Sequence, residues 1–177
     1  MENAKKPRSS TAGRATLEQQ HVHDMLESFR VVLFGTPDRS METLRSRPMT
    51  IARVGEDCTL YFVTALETMD KVGASPAAMV TAQSSARFLV LQGRYQVSTD
   101  RALLTSLWSM PMDVWFDGPK DPKACAIIFT PGEAELWDNT GIAGLKYLFQ
   151  AAKSLATGDK PPRTEDPELH ARVPISR

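Results

Sequence analysis

Three pieces of the chain carry residue types that do chemistry in company: Arg45–Thr50 (RSRPMT), Thr64 and Lys71. RSRPMT lies in a segment that otherwise reads as a strand. It contains Pro48, which has no N–H for a ladder. A strand broken at this proline leaves nearby main-chain groups without ladder partners, and such groups can face a planar polar ligand. Thr64 ends the strand TLYFVT just before a helical turn. A hydroxyl, main-chain N–H groups and the Lys71 ammonium converging there suit a phosphate. The same residues also read more plainly, as an edge strand with solvated arginines.

Other chemistry finds little support. There is no glycine-rich dinucleotide or P-loop motif, no H-E-x-x-H and no nucleophile elbow. His21 and His23 stand two apart on a helix and so point to different faces. His170 falls in a polar terminal stretch. Cys125 alternates inside an apolar strand and reads as core, and Cys58 has no partner at metal spacing. No metal site and no catalytic side chain is assigned.

The elements that must position these residues belong to an ordinary globular chain. It has 177 residues, 42% hydrophobic and 24% charged, with a formal net charge of zero. Zero net charge gives no reason to expect nucleic acid. No apolar run reaches membrane length, and no secretory signal follows the basic start, so a cytoplasmic protein is expected. Residues 1–13 read as a flexible arm, 14–157 as the folded domain and 158–177 as a flexible tail.

Periodicity predicts a helix over Ala15–Phe29, carried by Val22, Leu26 and Phe29. Strands follow at Arg30–Gly35, Met41–Val54, Thr59–Thr64, Ala77–Gln83 and Ala86–Val97, with a short helical turn over Ala65–Gly73. A helix starts at Asp100, capped by it or by Thr99. Strands at Lys123–Thr130 and Ala134–Asp138 precede a last helix over Gly141–Ala156. Short strands with helices at the ends and between them predict a mainly β, α+β fold: a small antiparallel barrel with peripheral helices.

The motifs and their order resemble a family. Arg47-Pro48-Met49, then a strand ending Phe62-Val63-Thr64, then Lys71, is similar to the pyridoxamine 5′-phosphate oxidase-like flavoproteins, in particular their general stress protein subgroup. Leu91–Arg94 (LQGR) with Val97–Arg101 (VSTDR), Trp115–Pro119 (WFDGP) with Asp121-Pro122, and Ala134–Asp138 (AELWD) extend the resemblance across about Leu17 to Phe149.

The resemblance implies a six-stranded antiparallel split β-barrel that forms a homodimer with FMN at the subunit interface. Another flavin or a deazaflavin is the variant of that cofactor. It implies that Arg47, Pro48 and Met49 line the flavin ring, that Val63 and Thr64 lie along the ring and ribityl chain, and that Lys71 holds the phosphate. Gln83 approaches the ring, and Trp115 and Trp137 reach the flavin from the other subunit. Phe62, Phe88 and Val90 are the candidates for burial between subunits.

Two departures matter. The family's phosphate turn is S-x-K, preceded in true oxidases by arginine; here it is Met69-Asp70-Lys71, with Thr68 the nearest hydroxyl. True oxidases also carry a terminal R-x-H that grips pyridoxal phosphate, which this chain lacks after Trp137. The expected function is a general-stress-type flavoprotein, an oxidoreductase on an undetermined small substrate but not a pyridoxamine phosphate oxidase. The alternative is a dimeric stress or binding module that has lost its flavin or holds it weakly.

Overall fold

Alternating apolar and polar residues give this chain strands whose apolar sides must share one interior. The computed structural model describes residues 11–37, 43–69, 77–138 and 170–175. Helix α1 (Thr11–Glu27) buries Val22, Met25 and Leu26, spaced to share one helical face. Strands β1 (Val31–Pro37), β2 (Leu44–Thr50), β3 (Arg53–Val54) and β4 (Leu60–Ala65) follow, and a single 3₁₀ turn spans Leu66–Thr68. Then come β5 (Ala77–Gln83), β6 (Arg87–Ser98), α2 (Arg101–Leu107), a second 3₁₀ turn (Met110–Val114), β7 (Ala124–Asp138) and β8 (His170–Pro174).

All eight strands belong to one antiparallel sheet in the order β2-β1-β5-β6-β7-β4-β3, with β8 on β7. Strands β2 and β3 sit at opposite ends of that order, yet Ile51 and Ala52 alone separate them. The sheet therefore curls until its ends meet. At the meeting point the Ile51 N–H donates to the Arg30 carbonyl (3.0 Å), and the Ala52 N–H donates to the Tyr61 carbonyl (2.8 Å). This is the split barrel, with eight strands among the described residues where six were expected. Phe34 lies at its centre, edge-on to Phe62, Tyr95 and Phe129 at 5.4–6.2 Å.

Four expectations need correction. The strand is not broken at Pro48: β2 pairs with β1 from Leu44 to Thr50, with Pro48 opposite Leu33. Proline is tolerated because β2 is an edge strand among the described residues. Pro131-Gly132 does not separate two strands either. They form a bulge in one long β7, where Gln92 opposes Glu133 and Gly93 opposes Pro131. A Cβ on Gly93 would sit 2.3 Å from the Thr130 carbonyl oxygen, so the bulge needs glycine there. Phe62 is fully buried in its own barrel and has no surface to give a partner. Finally, the terminal stretch 158–177 is not all loose tail. Residues 170–174 form β8, and Val173 is buried against the core. One valine in a polar stretch is a weak sequence signal, but the open edge of β7 makes it sufficient. The expected helix over 141–156 lies outside the described residues.

Candidate functional site

An open cleft of about 1290 Å³ runs between β2 and β4, from the Ile51-Ala52 crossing to the 3₁₀ turn at Leu66–Thr68. The register of β2 explains why it is polar. Ile51 bonds back to Arg30, so odd-numbered residues of β2 bond to β1. Ser46, Pro48 and Thr50 then direct their main-chain groups to the open edge. Pro48 fits such a place because the N–H it lacks would have faced the cleft, not the ladder.

Of the residues expected at a site, Arg47, Pro48, Met49, Val63 and Thr64 line this cleft; Trp115, expected to come from the other subunit, lines it from its own chain. At one end the Arg47 guanidinium donates to the Thr68 carbonyl and lies 3.8 Å from the Met69 sulfur. The Thr64 and Thr68 hydroxyls are 3.2 Å apart, and Thr68 also donates to the Ala65 carbonyl. A guanidinium and two hydroxyls thus gather where β4 ends, an arrangement suited to an oxyanion. Met69, in place of the family's serine, turns into the core and is buried. Thr68 brings the hydroxyl instead. Lys71 and Asp70 lie outside the described residues.

The far wall is the segment before β7. Asp121 accepts from the Asp117 N–H (3.0 Å) and the Lys123 N–H (2.8 Å), and these bonds hold its carboxyl below the usual carboxylate range. Arg101 donates to the Asp121 carbonyl, and Trp108 packs edge-on to Phe116. Gly118 takes a φ of 88°, open to glycine at little cost. This braced loop presents Trp115, which is 80% exposed, at the mouth of the cleft.

Gln83 and Trp137 are not part of the cleft lining. They belong to one row across the sheet, where Gln83 opposes Phe88 and Phe88 opposes Trp137. Trp137 stacks on His170 with centroids 4.8 Å apart and planes 7° from parallel. Beside it, Glu135 takes both His170 (2.8 Å) and Arg172 (3.2 Å). The His170 hydrogen bond, then Arg172, lowers the Glu135 pKa.

Sequence reasoning missed Arg30, Arg53 and Lys123, which also line the cleft. No motif marks them: each arrives by the curl of the sheet. The Arg53 guanidinium lies over the Tyr61 ring at 4.2 Å. His21 is 3.5 Å from Asp138, and no metal-binding cluster occurs among the described residues. No helix among them is long and apolar enough to cross a membrane.

A family model described as pyridoxamine 5′-phosphate oxidase like matches residues 18–162. The chain belongs to the pyridoxamine 5′-phosphate oxidase-like family. Solved structures agree on the fold. A protein from Jannaschia sp. CCS1 assigned as general stress protein 26 is 27% identical, with 90% of this chain and 99% of that one covered at a TM-score of 0.63. The general stress FMN/FAD binding protein of Xanthomonas citri is 23% identical, with 70% and 89% covered at 0.59. A pyridoxamine 5′-phosphate oxidase-related, FMN binding protein of Nostoc punctiforme is 13% identical, with 77% and 88% covered at 0.53. No curated protein matches the chain.

Proposed function

We propose that this chain binds FMN in the β2–β4 cleft and works in the cytoplasm as a homodimeric flavoprotein, an oxidoreductase on a small substrate. The observation that carries the reading is the meeting of Arg47, Pro48, Met49, Val63 and Thr64 on one cleft. The open-edge main-chain groups of β2 match the polar rim of a flavin ring. Arg47, Thr64 and Thr68, with Lys71, hold the phosphate. A bound flavin supplies the redox chemistry; the protein orients it and limits solvent access. The names of the Xanthomonas and Nostoc relatives support a flavin.

What supports a dimer is the outer sheet face, where Val31 (54%), Leu33 (49%) and Phe88 (38%) are exposed. Gln83 and Trp137 share this face, so pairing two copies brings them towards the partner's flavin. A pyridoxamine phosphate oxidase is disfavoured on a specific ground. His170 and Arg172 stand near Trp137, but both are already engaged by Glu135. The visible spectrum of the purified protein, with release and identification of its chromophore, tests the proposal. A flavin spectrum with FMN released is expected. A colourless protein that takes up no FMN would favour the module without cofactor, which Met69 in the core already favours over the family's serine.

A further inference from the structure

The cleft carries cations at separate places along its length. Arg30, Arg47, Arg53 and Lys123 line it against Glu27 and Glu67, in a chain whose formal net charge is zero. These cations fall into two groups. Arg47 is tied to Thr68, past the end of β4. Arg53 pairs with Tyr61 near the start of β4, and Arg30 sits at the Ile51 crossing. From Tyr61 to Ala65 is four strand steps, about 13 Å. The second group therefore lies a ring-length or more from the phosphate end. Among the described residues neither Arg30 nor Arg53 forms an ion pair, and the Arg53 guanidinium has the Tyr61 ring as its support. Stacking fixes the plane of a guanidinium while leaving its edge free to donate.

We propose that the Arg30–Arg53 end of the cleft binds an oxyanion, carboxylate or phosphate, on the small molecule that meets the flavin. This rests on the flavin reading and adds the substrate class to it. The anion docks on the Arg53 fork and Arg30, and the rest of the molecule extends along β2 towards the ring. Glu27, three residues before Arg30, moderates the site by repelling a dianion more than a monoanion.

Titration of FMN-loaded protein with benzoate, phenyl phosphate and neutral benzamide, read as perturbation of the flavin absorbance at fixed low salt, tests this. Either acid should bind at least tenfold more tightly than benzamide, and the better of the two names the group. Arg53→Gln and Arg30→Gln should each weaken the acid by about tenfold, with FMN affinity unchanged. Arg53→Lys should recover part of the loss, since it keeps the charge without the fork. Glu27→Gln should tighten binding. Equal binding of acids and amide, no binding of either acid, or loss of FMN along with the acid would each overturn the proposal. If the protein takes up no flavin, the flavin reading has failed by itself. The same titration followed by intrinsic tryptophan fluorescence, with Trp115 at the cleft mouth, then decides whether the arginines bind an anion.

Discussion

The cleft between β2 and β4 and the outer corner of β7 and β8 both gather charge beside a tryptophan, and they use it in opposite ways. At the corner, Glu135 takes up His170 and Arg172, and Trp137 is covered by the imidazole. In the cleft, Arg53 leans on a ring, Arg47 meets main chain and sulfur, and Trp115 stands in solvent. Charges paired with each other hold elements together, whereas charges held by neutral groups remain available to a ligand. The difference lies in what each charge touches, and a count of charged residues does not reveal it.

The largest test of this contrast removes the corner. A chain ending at residue 169 loses β8 and the burial of Val173. Burying a valine contributes about 1.5–3 kcal/mol, and each kcal/mol moves the melting temperature by about 2–4 °C at this size. Thermal unfolding should shift down by about 3–12 °C, while the cleft keeps its ligand. An unchanged melting temperature would show that β8 is ornamental.

The cleft should respond in affinity instead. Arg47→Ala and Lys71→Ala should each weaken FMN by about ten- to a hundredfold, the worth of a charge-assisted hydrogen bond. Riboflavin, which has no phosphate, should be nearly indifferent. Equal losses for both ligands from Arg47→Ala would mean that the arginine acts by tying β2 to the 3₁₀ turn. Asp70→Arg should tighten FMN binding by a smaller factor, because it replaces repulsion of the phosphate by attraction; titration with FMN reads it directly.

The smallest effect is the pH response of the corner. Glu135 has its pKa lowered from 4.5 by His170 and Arg172. A carboxylate held low contributes stability above its unfolded pKa and loses it as pH falls through the folded value. The melting temperatures of the native chain and Glu135→Gln should therefore differ by at most a few degrees near neutrality. They should converge as the pH falls below the ordinary glutamate range and through the lowered folded value. A gap that persists into strong acid would assign the difference to packing.

Local signals were sufficient for much of this molecule. The Asp100 cap, the apolar stripe of α1 and the alternation in β1, β4, β5 and β6 each depend on neighbours a few residues away. They were legible because helix and strand periods are local properties. Boundaries were less so. Pro131-Gly132 carries turn residues, and only the partner strand with Gly93 makes it a bulge. Pro48 looked like a break because a sequence does not say which strands lie at an edge.

The site divides in the same way. Arg47-Pro48-Met49, Val63 and Thr64 were readable as short motifs, since each lies on one strand with its chemistry in its own residues. Arg30, Arg53 and Lys123 had no such mark, and the separation of Trp137 from the cleft was equally hidden. The sequence by itself determined strands β1, β4, β5 and β6, the cap and the burial of Cys125, because these rest on spacing along the chain, and its short motifs carried the family resemblance. Only the tertiary structure decided that β2 is an edge, that Ile51-Ala52 closes the curl, that Met69 turns inward and that His170 meets Glu135. Each of those depends on which distant segment supplies the partner, and that is settled when the sheet curls and its interior fills.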